Sequence, residues 1–154
     1  MEKSQIKKII VSTVIIVIVA VLGGIFVKLG MEWFDSLTKP TQWIPNIVIP
    51  IVWSVVYLAF AVINFFWYKR EDIPNYTVCL MLIYAVLNVL WCLVFFTLKQ
   101  LFLGNVVILL NLLASFVLIV NIFKYKRLYG YVLSIYLLWL GVATTLNLAL
   151  WILN

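Results

Sequence analysis

The chain contains no histidine, which removes the usual general base, imidazole-ligated haem, and most zinc and copper chemistry. Acid is almost as scarce. Glu2, Glu32, Asp35, Glu71 and Asp72 are the whole supply, and all five fall in expected terminal or connecting segments. A proton relay of carboxylates inside a membrane is therefore excluded. Cys79 and Cys92 fall thirteen residues apart in one expected helix, about 20 Å along its axis. A disulfide needs Cα atoms within ~7 Å, so they do not bridge each other, and their spacing marks no metal site. Charged residues are only 10% of the 154, against about 25% in a soluble domain. Too few polar groups remain to cover a water-facing surface.

What the chain has instead is apolar side chains, 67% of the total. A membrane-spanning helix needs ~20 apolar residues, and the sequence offers five such stretches, near residues 6–27, 47–68, 76–98, 101–123 and 129–153. None alternates like a strand, and backbone polar groups in lipid then demand helix. The expected fold is all-α: one integral membrane domain of five transmembrane helices over residues 1–154. The first stretch follows Lys3, Lys7 and Lys8 as a signal peptide would, but it is too long and lacks a convincing cleavage site. No internal repeat is evident, and an odd number of spans argues against a single-chain inverted-repeat transporter.

The connections are unequal. Three are tight, whereas residues 28–46 form an expected loop containing Trp33, Phe34, Pro40, Trp43 and Pro45. Long loops in compact domains are usually functional or disordered, and the apolar content here argues for a lid. Basic residues set the orientation. Lys3, Lys7, Lys8, Lys69, Arg70, Lys124, Lys126 and Arg127 would share one face, against Lys28, Lys39 and Lys99 on the other. By the positive-inside rule the N-terminus is expected in the cytoplasm, with the C-terminus and long loop outside. The net charge of +6 then reflects topology, and no nucleic-acid partner is expected.

Seven tryptophans are the unusual count. Trp67, Tyr68, Tyr125, Tyr129 and Trp151 lie at span ends, where aromatic belts collect. Trp53, Trp91 and Trp139 lie within spans, where each indole N–H needs a partner. Helical spacing groups them further. Trp53 and Tyr57 are i, i+4; Asn88, Trp91 and Phe95 are i, i+3, i+7; Trp139, Ala143 and Asn147 are i, i+4, i+8. Two readings fit. Either these residues line a pocket for a flat hydrophobic ligand under the loop, or they pack the core while Asn88, Asn111 and Asn147 join helices.

The same residues carry a resemblance. Trp33-Phe34, Leu37, Lys39-Pro40, Pro45, Trp53 and Tyr57 resemble the first-loop and second-helix signature of the tryptophan-rich sensory protein family, also called the translocator protein or peripheral benzodiazepine receptor family. Asn88, Trp91, Phe95-Phe96 and Gln100 match its third-span pattern, and Trp139, Ala143-Thr144-Thr145-Leu146-Asn147, Trp151 and Asn154 its fifth. The resemblance implies a bacterial-type member in the cell membrane, commonly a homodimer, with a ligand pocket beneath the first loop. It implies binding of porphyrins, such as protoporphyrin IX, and of benzodiazepine-type ligands. It also implies light- and oxygen-dependent porphyrin degradation, with Trp53 and Trp139 at the positions linked to that photochemistry. The resemblance carries Trp53, Asn88, Trp91, Trp139, Ala143 and Asn147 to pocket-side positions, and helical spacing adds Tyr57 and Phe95 to the expected ligand-binding set, with Trp33, Pro40, Trp43 and Pro45 in the lid.

No cofactor or metal is required on this reading. Without histidine a metal–porphyrin would lack its usual axial ligand, so a metal-free ring is the expected ligand, its propionates near Lys39 or Lys99. A facilitative transporter or channel for hydrophobic molecules is the alternative. The chain departs from the family in the first loop, where Gln42-Trp43-Ile44-Pro45 displaces the tryptophan and loses a proline. The sterol-recognition segment of animal members has no counterpart in residues 148–154.

Overall fold

A computed structural model describes residues 2–41 and 44–154. It holds five helices long and apolar enough to cross a membrane: α1 Lys3–Ser36, α2 Val48–Arg70, α3 Asn75–Cys92, α4 Leu101–Tyr125 and α5 Arg127–Leu153. A π-helical turn, Leu93–Thr97, extends α3. Around the bundle the helices follow the order α1, α2, α5, α4, α3 and back to α1. The all-helical membrane fold expected from the apolar runs is the fold observed among the described residues. Large apolar side chains such as Val55, Leu58, Val86 and Leu113 point outward on every side, as a lipid-facing surface requires.

One boundary differs. Helix α1 continues past Val27 to Ser36, so the connection to α2 is shorter than the loop expected over residues 28–46. No helix breaker other than Gly30 stands between Val27 and Leu37, and Pro40 lies beyond. The helix of 34 residues is about 51 Å long at 1.5 Å per residue. It exceeds a hydrocarbon core of ~30 Å, so the helix is longer than a span requires. Trp33 and Phe34 are therefore carried on rigid helix. Pro50 sits in the first turn of α2, where the missing N–H would have no intrahelical partner in any case.

The π turn fixes the core. A regular helix places about three residues in seven on one face, yet Val94, Phe95 and Phe96 are consecutive and all buried. The wider turn rotates the register so that all three face inward. It ends with the Leu98 N–H donating to the Leu93 carbonyl at 2.9 Å and the Gln100 N–H to that of Val94 at 3.1 Å. Lys99 takes the left-handed conformation, φ 56°, that closes such helix ends.

Two glycines make room for this turn. A Cβ on Gly30 would fall on the backbone carbonyl of Phe96, and one on Gly104 would come within 2.9 Å of the Phe95 ring. Helix α1 thus crosses the π turn backbone to backbone, and the Thr97 hydroxyl locks the crossing by donating to the Phe26 carbonyl at 3.1 Å. At the end of the bundle carrying the N-terminus, the α2–α3 connection is held by ion pairs. Lys8 meets Asp72 at 2.7 Å, and Lys126 meets Glu71. Partly exposed pairs of this kind contribute ~1 kcal/mol or less.

The Gly30 crossing yields a prediction. Gly30→Ala should lower the thermal unfolding midpoint in detergent by the equivalent of about 3 kcal/mol, because overpacking against backbone cannot relax. Gly24→Ala, whose Cβ would meet nothing within 4 Å, should leave the midpoint unchanged or slightly raised. Equal midpoints for the two variants would show that the crossing is not constrained.

Candidate functional site

The helix termini away from the N-terminus carry the aromatic residues singled out above. Trp53 stacks on Tyr57 one turn along α2, centroids 5.9 Å apart, and on Trp91 of α3 at 6.3 Å. Trp91 stacks in turn on Phe95 at 5.6 Å with 19° between the planes. Trp33 meets the same Phe95 edge-on at 5.7 Å, and Phe34 leans on Phe96 at 5.3 Å. The result is a continuous aromatic wall running from Tyr57 on α2 to the overhang of α1. Each ring pair contributes about 0.5–1.5 kcal/mol beyond its burial, so the wall is also part of what fixes α1, α2 and α3 together.

Two cavities lie on either side of this wall. The larger, ≈ 310 Å³, opens between α1, α2 and α3 and is bounded by Gly23, Phe34, Trp53, Tyr57, Trp91 and Phe96. The smaller, ≈ 40 Å³, faces α5 and is bounded by Trp53, Trp91, Phe95, Trp139, Ala143 and Asn147. Phe34, Ile49, Trp53, Trp91 and Phe96 belong to both linings. They form the partition between the two spaces. The larger cavity sits at the lower end of the ~300–1,000 Å³ range of small-molecule sites.

Most of the expected binding set is therefore brought together, but not around one space. Trp53 and Trp91 touch both cavities, Tyr57 only the larger, and Phe95, Trp139, Ala143 and Asn147 only the smaller. Asn88 lines neither. It is fully buried and accepts a hydrogen bond from the Tyr57 hydroxyl at 3.1 Å, so it orients the tyrosine that closes the larger cavity. Sequence reasoning missed Gly23 of α1 and placed Phe34 in the loop rather than on that helix. The signal was the i, i+7 spacing of Gly23 and Gly30, which thins the face of α1 turned towards the bundle.

Three buried donors belong to residues on the lining of the smaller cavity. Trp91 Nε1, Trp139 Nε1 and Asn147 Nδ2 are buried, and none has a hydrogen-bond partner among the described residues. All three are donors on residues lining one space, and a buried donor without a partner costs about 1–3 kcal/mol. A group that accepts hydrogen bonds would relieve that cost. No cluster of three or more His, Cys, Asp or Glu side chains suited to a metal occurs among the described residues.

The connection between α1 and α2 closes over this region, with Ile44 on the lining of the smaller cavity. Of the expected lid residues, Trp33 lies on α1, Pro40 and Pro45 lie in the connection, and Trp43 is outside the described residues. The connection is clasped to α5. The Thr38 N–H donates to Asn154 Oδ1 at 2.8 Å, and Asn154 Nδ2 donates back to the Thr38 carbonyl at 3.0 Å. One side-chain amide thus imitates a strand pairing. Lys39, expected near a ligand's carboxylates, is engaged by Asp35 at 3.5 Å and lies 4.7 Å from the Phe34 ring centroid.

Loss of this clasp should be measurable. In Asn154→Ala, amide exchange at Thr38 should accelerate about tenfold, the upper range for a lost hydrogen bond. Exchange in α3 should stay as before. Unaltered exchange over residues 37–41 would show that the clasp does not hold the connection.

The model of the TspO/MBR family matches residues 12–152 of the chain. Protein CrtK of Rhodobacter capsulatus is 29% identical over 126 residues, covering 79% of this chain and 78% of that protein. The uncharacterized membrane protein YtaB of Bacillus subtilis is 30% identical over 148 residues, 92% of this chain and 94% of its own length.

Proposed function

We propose, from the premise that this chain belongs to the TspO/MBR family, that it is a membrane protein binding a metal-free porphyrin or a similar flat hydrophobic ligand beneath the α1–α2 connection. The observation that carries the reading is the set of three buried, unpartnered donors on Trp91, Trp139 and Asn147, set beside a stacked aromatic wall. A porphyrin offers both complements: a large π face for stacking, and ring nitrogens or carboxylates that accept hydrogen bonds. A swing of Phe34 or Trp53, which belong to both linings, would join the two cavities into one space.

On this reading Trp53, Tyr57, Trp91 and Phe95 stack, Trp139 and Asn147 donate, and Ala143 keeps the α5 side narrow. Asn88 positions Tyr57 and does not touch the ligand. Trp53 and Trp139 also supply the oxidisable indoles for a light-driven reaction, in which the excited ring passes energy to oxygen and the porphyrin is broken down. The working unit is a homodimer in the cell membrane, with the N-terminus on the cytoplasmic side. The excess of basic residues at that end of the bundle supports this orientation.

Titrating the purified protein with protoporphyrin IX in darkness, read by quenching of tryptophan fluorescence, tests the binding. Ala143→Phe adds a ring where only ≈ 40 Å³ is free, and should abolish quenching at concentrations that saturate the unmodified protein while the fold survives. Unchanged titration would place the ligand elsewhere. Trp53→Phe and Trp139→Phe separate binding from photochemistry. Each should weaken binding by only about 1 kcal/mol, yet at saturation degrade porphyrin far more slowly under fixed illumination, with an oxygen-free control. Loss rates equal to the unmodified protein would leave the indoles as walls alone.

A further inference from the structure

The basic residues at the end of the bundle carrying the N-terminus are not spread evenly. Trp67, buried near the end of α2, packs on Tyr125 of α4 at 6.4 Å and on Tyr129 of α5 at 5.7 Å between ring centroids. That contact draws the last turn of α2 against the α4–α5 corner. Lys69 and Arg70 on α2 thereby stand beside the segment that carries Lys124, Lys126 and Arg127. A single carboxylate, Glu71, answers this group, and it pairs with Lys126. Asp72, the next acid, is taken by Lys8 of α1. Lys69, Arg70, Lys124 and Arg127 are exposed and have no acidic partner among the described residues.

Cations at helix C-termini are ordinary, since the carbonyl ends attract them, and Lys69, Arg70 and Lys124 have that use. Lys126 and Arg127 do not. They are the N-cap and first residue of α5, whose cap makes no side-chain hydrogen bond and whose first turn holds no acidic side chain. The N-terminal end of a helix is positive, and its first N–H groups lack carbonyl partners. Two cations there work against the helix unless an anion sits among them.

The surroundings select the anion. Next to the corner on the membrane side, outward side chains are apolar: Phe65 and Phe66 on α2 are 39% and 44% exposed, and Val132 on α5 is 40% exposed. Lys69 Nζ lies 5.8 Å from the Phe65 ring centroid, so its charge rests on the rim of the lipid-facing surface, as long basic side chains do when their stems lie along apolar groups. A soluble anion would use the charges and leave that rim idle. A phospholipid brings its phosphate and its acyl chains to the two levels together, and anionic lipids gather at basic clusters of this kind.

We propose that the corner between α2 and the α4–α5 connection is a binding site for the headgroup of an anionic phospholipid in the adjoining leaflet, with phosphatidylglycerol as the representative case. Lys69, Arg70, Lys124 and Arg127 meet the phosphodiester, and the acyl chains lie along the apolar faces next to it. The site does not depend on what the outer cavities bind.

Native mass spectrometry of the full chain released from detergent reads this, with phosphatidylglycerol and phosphatidylcholine of identical acyl chains in competition. The unmodified protein should retain phosphatidylglycerol about tenfold over phosphatidylcholine. Arg70→Gln with Arg127→Gln should remove most of that preference. Lys69→Gln with Lys124→Gln should do the same, so either pair serves if the other folds poorly. Lys3→Gln with Lys7→Gln takes the same charge from the same end of the bundle but outside the corner, and should leave the preference unchanged. Glycerol 3-phosphate, an anionic headgroup without chains, should not displace the bound lipid. Equal retention of the two lipids, equal loss in the corner pairs and the Lys3 and Lys7 pair, or displacement by glycerol 3-phosphate would each overturn the proposal.

Discussion

The architecture turns on the contact between Gly30 and the backbone of Phe96. In lipid no hydrophobic driving force pulls helix to helix, so association rests on close packing and interhelical hydrogen bonds. A small residue at the crossing lets α1 approach the π turn until backbone meets backbone, and the Thr97 bond to Phe26 fixes the register. From that one contact follow the seating of Phe34 on Phe96 and of Trp33 on Phe95. The aromatic partition between the two outer cavities, and the point from which the α1–α2 connection departs, follow in turn. A wider crossing would separate the wall from α1 and leave the larger cavity unenclosed.

Asparagine does the corresponding work on the other side of the bundle. Thr77 donates to Asn121 Oδ1 at 2.6 Å between α3 and α4, and Asn105 Nδ2 reaches the Asn147 carbonyl at 3.4 Å between α4 and α5. Interhelical bonds of this sort contribute about 0.6 kcal/mol on average in a membrane protein. They therefore specify which faces meet more than they stabilise. Of the two readings open for Asn88, Asn111 and Asn147, helix joining is true of the Asn88 side chain, which accepts from the Tyr57 hydroxyl of α2. It is true also of the Asn147 backbone, while the Asn147 Nδ2 stays unpartnered among the described residues. Core packing and pocket lining are thus not exclusive. The same residue does one with its backbone and is available for the other with its side chain.

The two ends of the bundle are closed by different chemistry. At the N-terminal end, carboxylates of the α2–α3 connection pair with Lys8 and Lys126, contacts that salt screens. At the other end a neutral amide clasp holds the connection over aromatic rings. Such a cover opens by breaking the two hydrogen bonds of the clasp. The larger cavity sits behind these closures on the α1 side, where the helix with the thinnest packing against its neighbours meets the lipid.

The sequence by itself determined the number of spans, their helical nature, the family, and which faces of α2, α3 and α5 carry the aromatic residues. Those follow from composition and from the 3.6-residue period, which are local and survive any arrangement of the helices. It did not reveal that Trp33 and Phe34 ride on helix, because a span read over about twenty apolar residues ends near Val27, and only the close approach of Phe96 shows what Gly30 does on the helix beyond it. Nor did it reveal that Val94, Phe95 and Phe96 are buried in a row, since a π turn changes the period on which the reading rests. Only the tertiary structure decided that Asn88 orients Tyr57 while Asn121 ties α4 to α3. Both are asparagines inside apolar helices, and the difference between them lies in what the neighbouring helix presents.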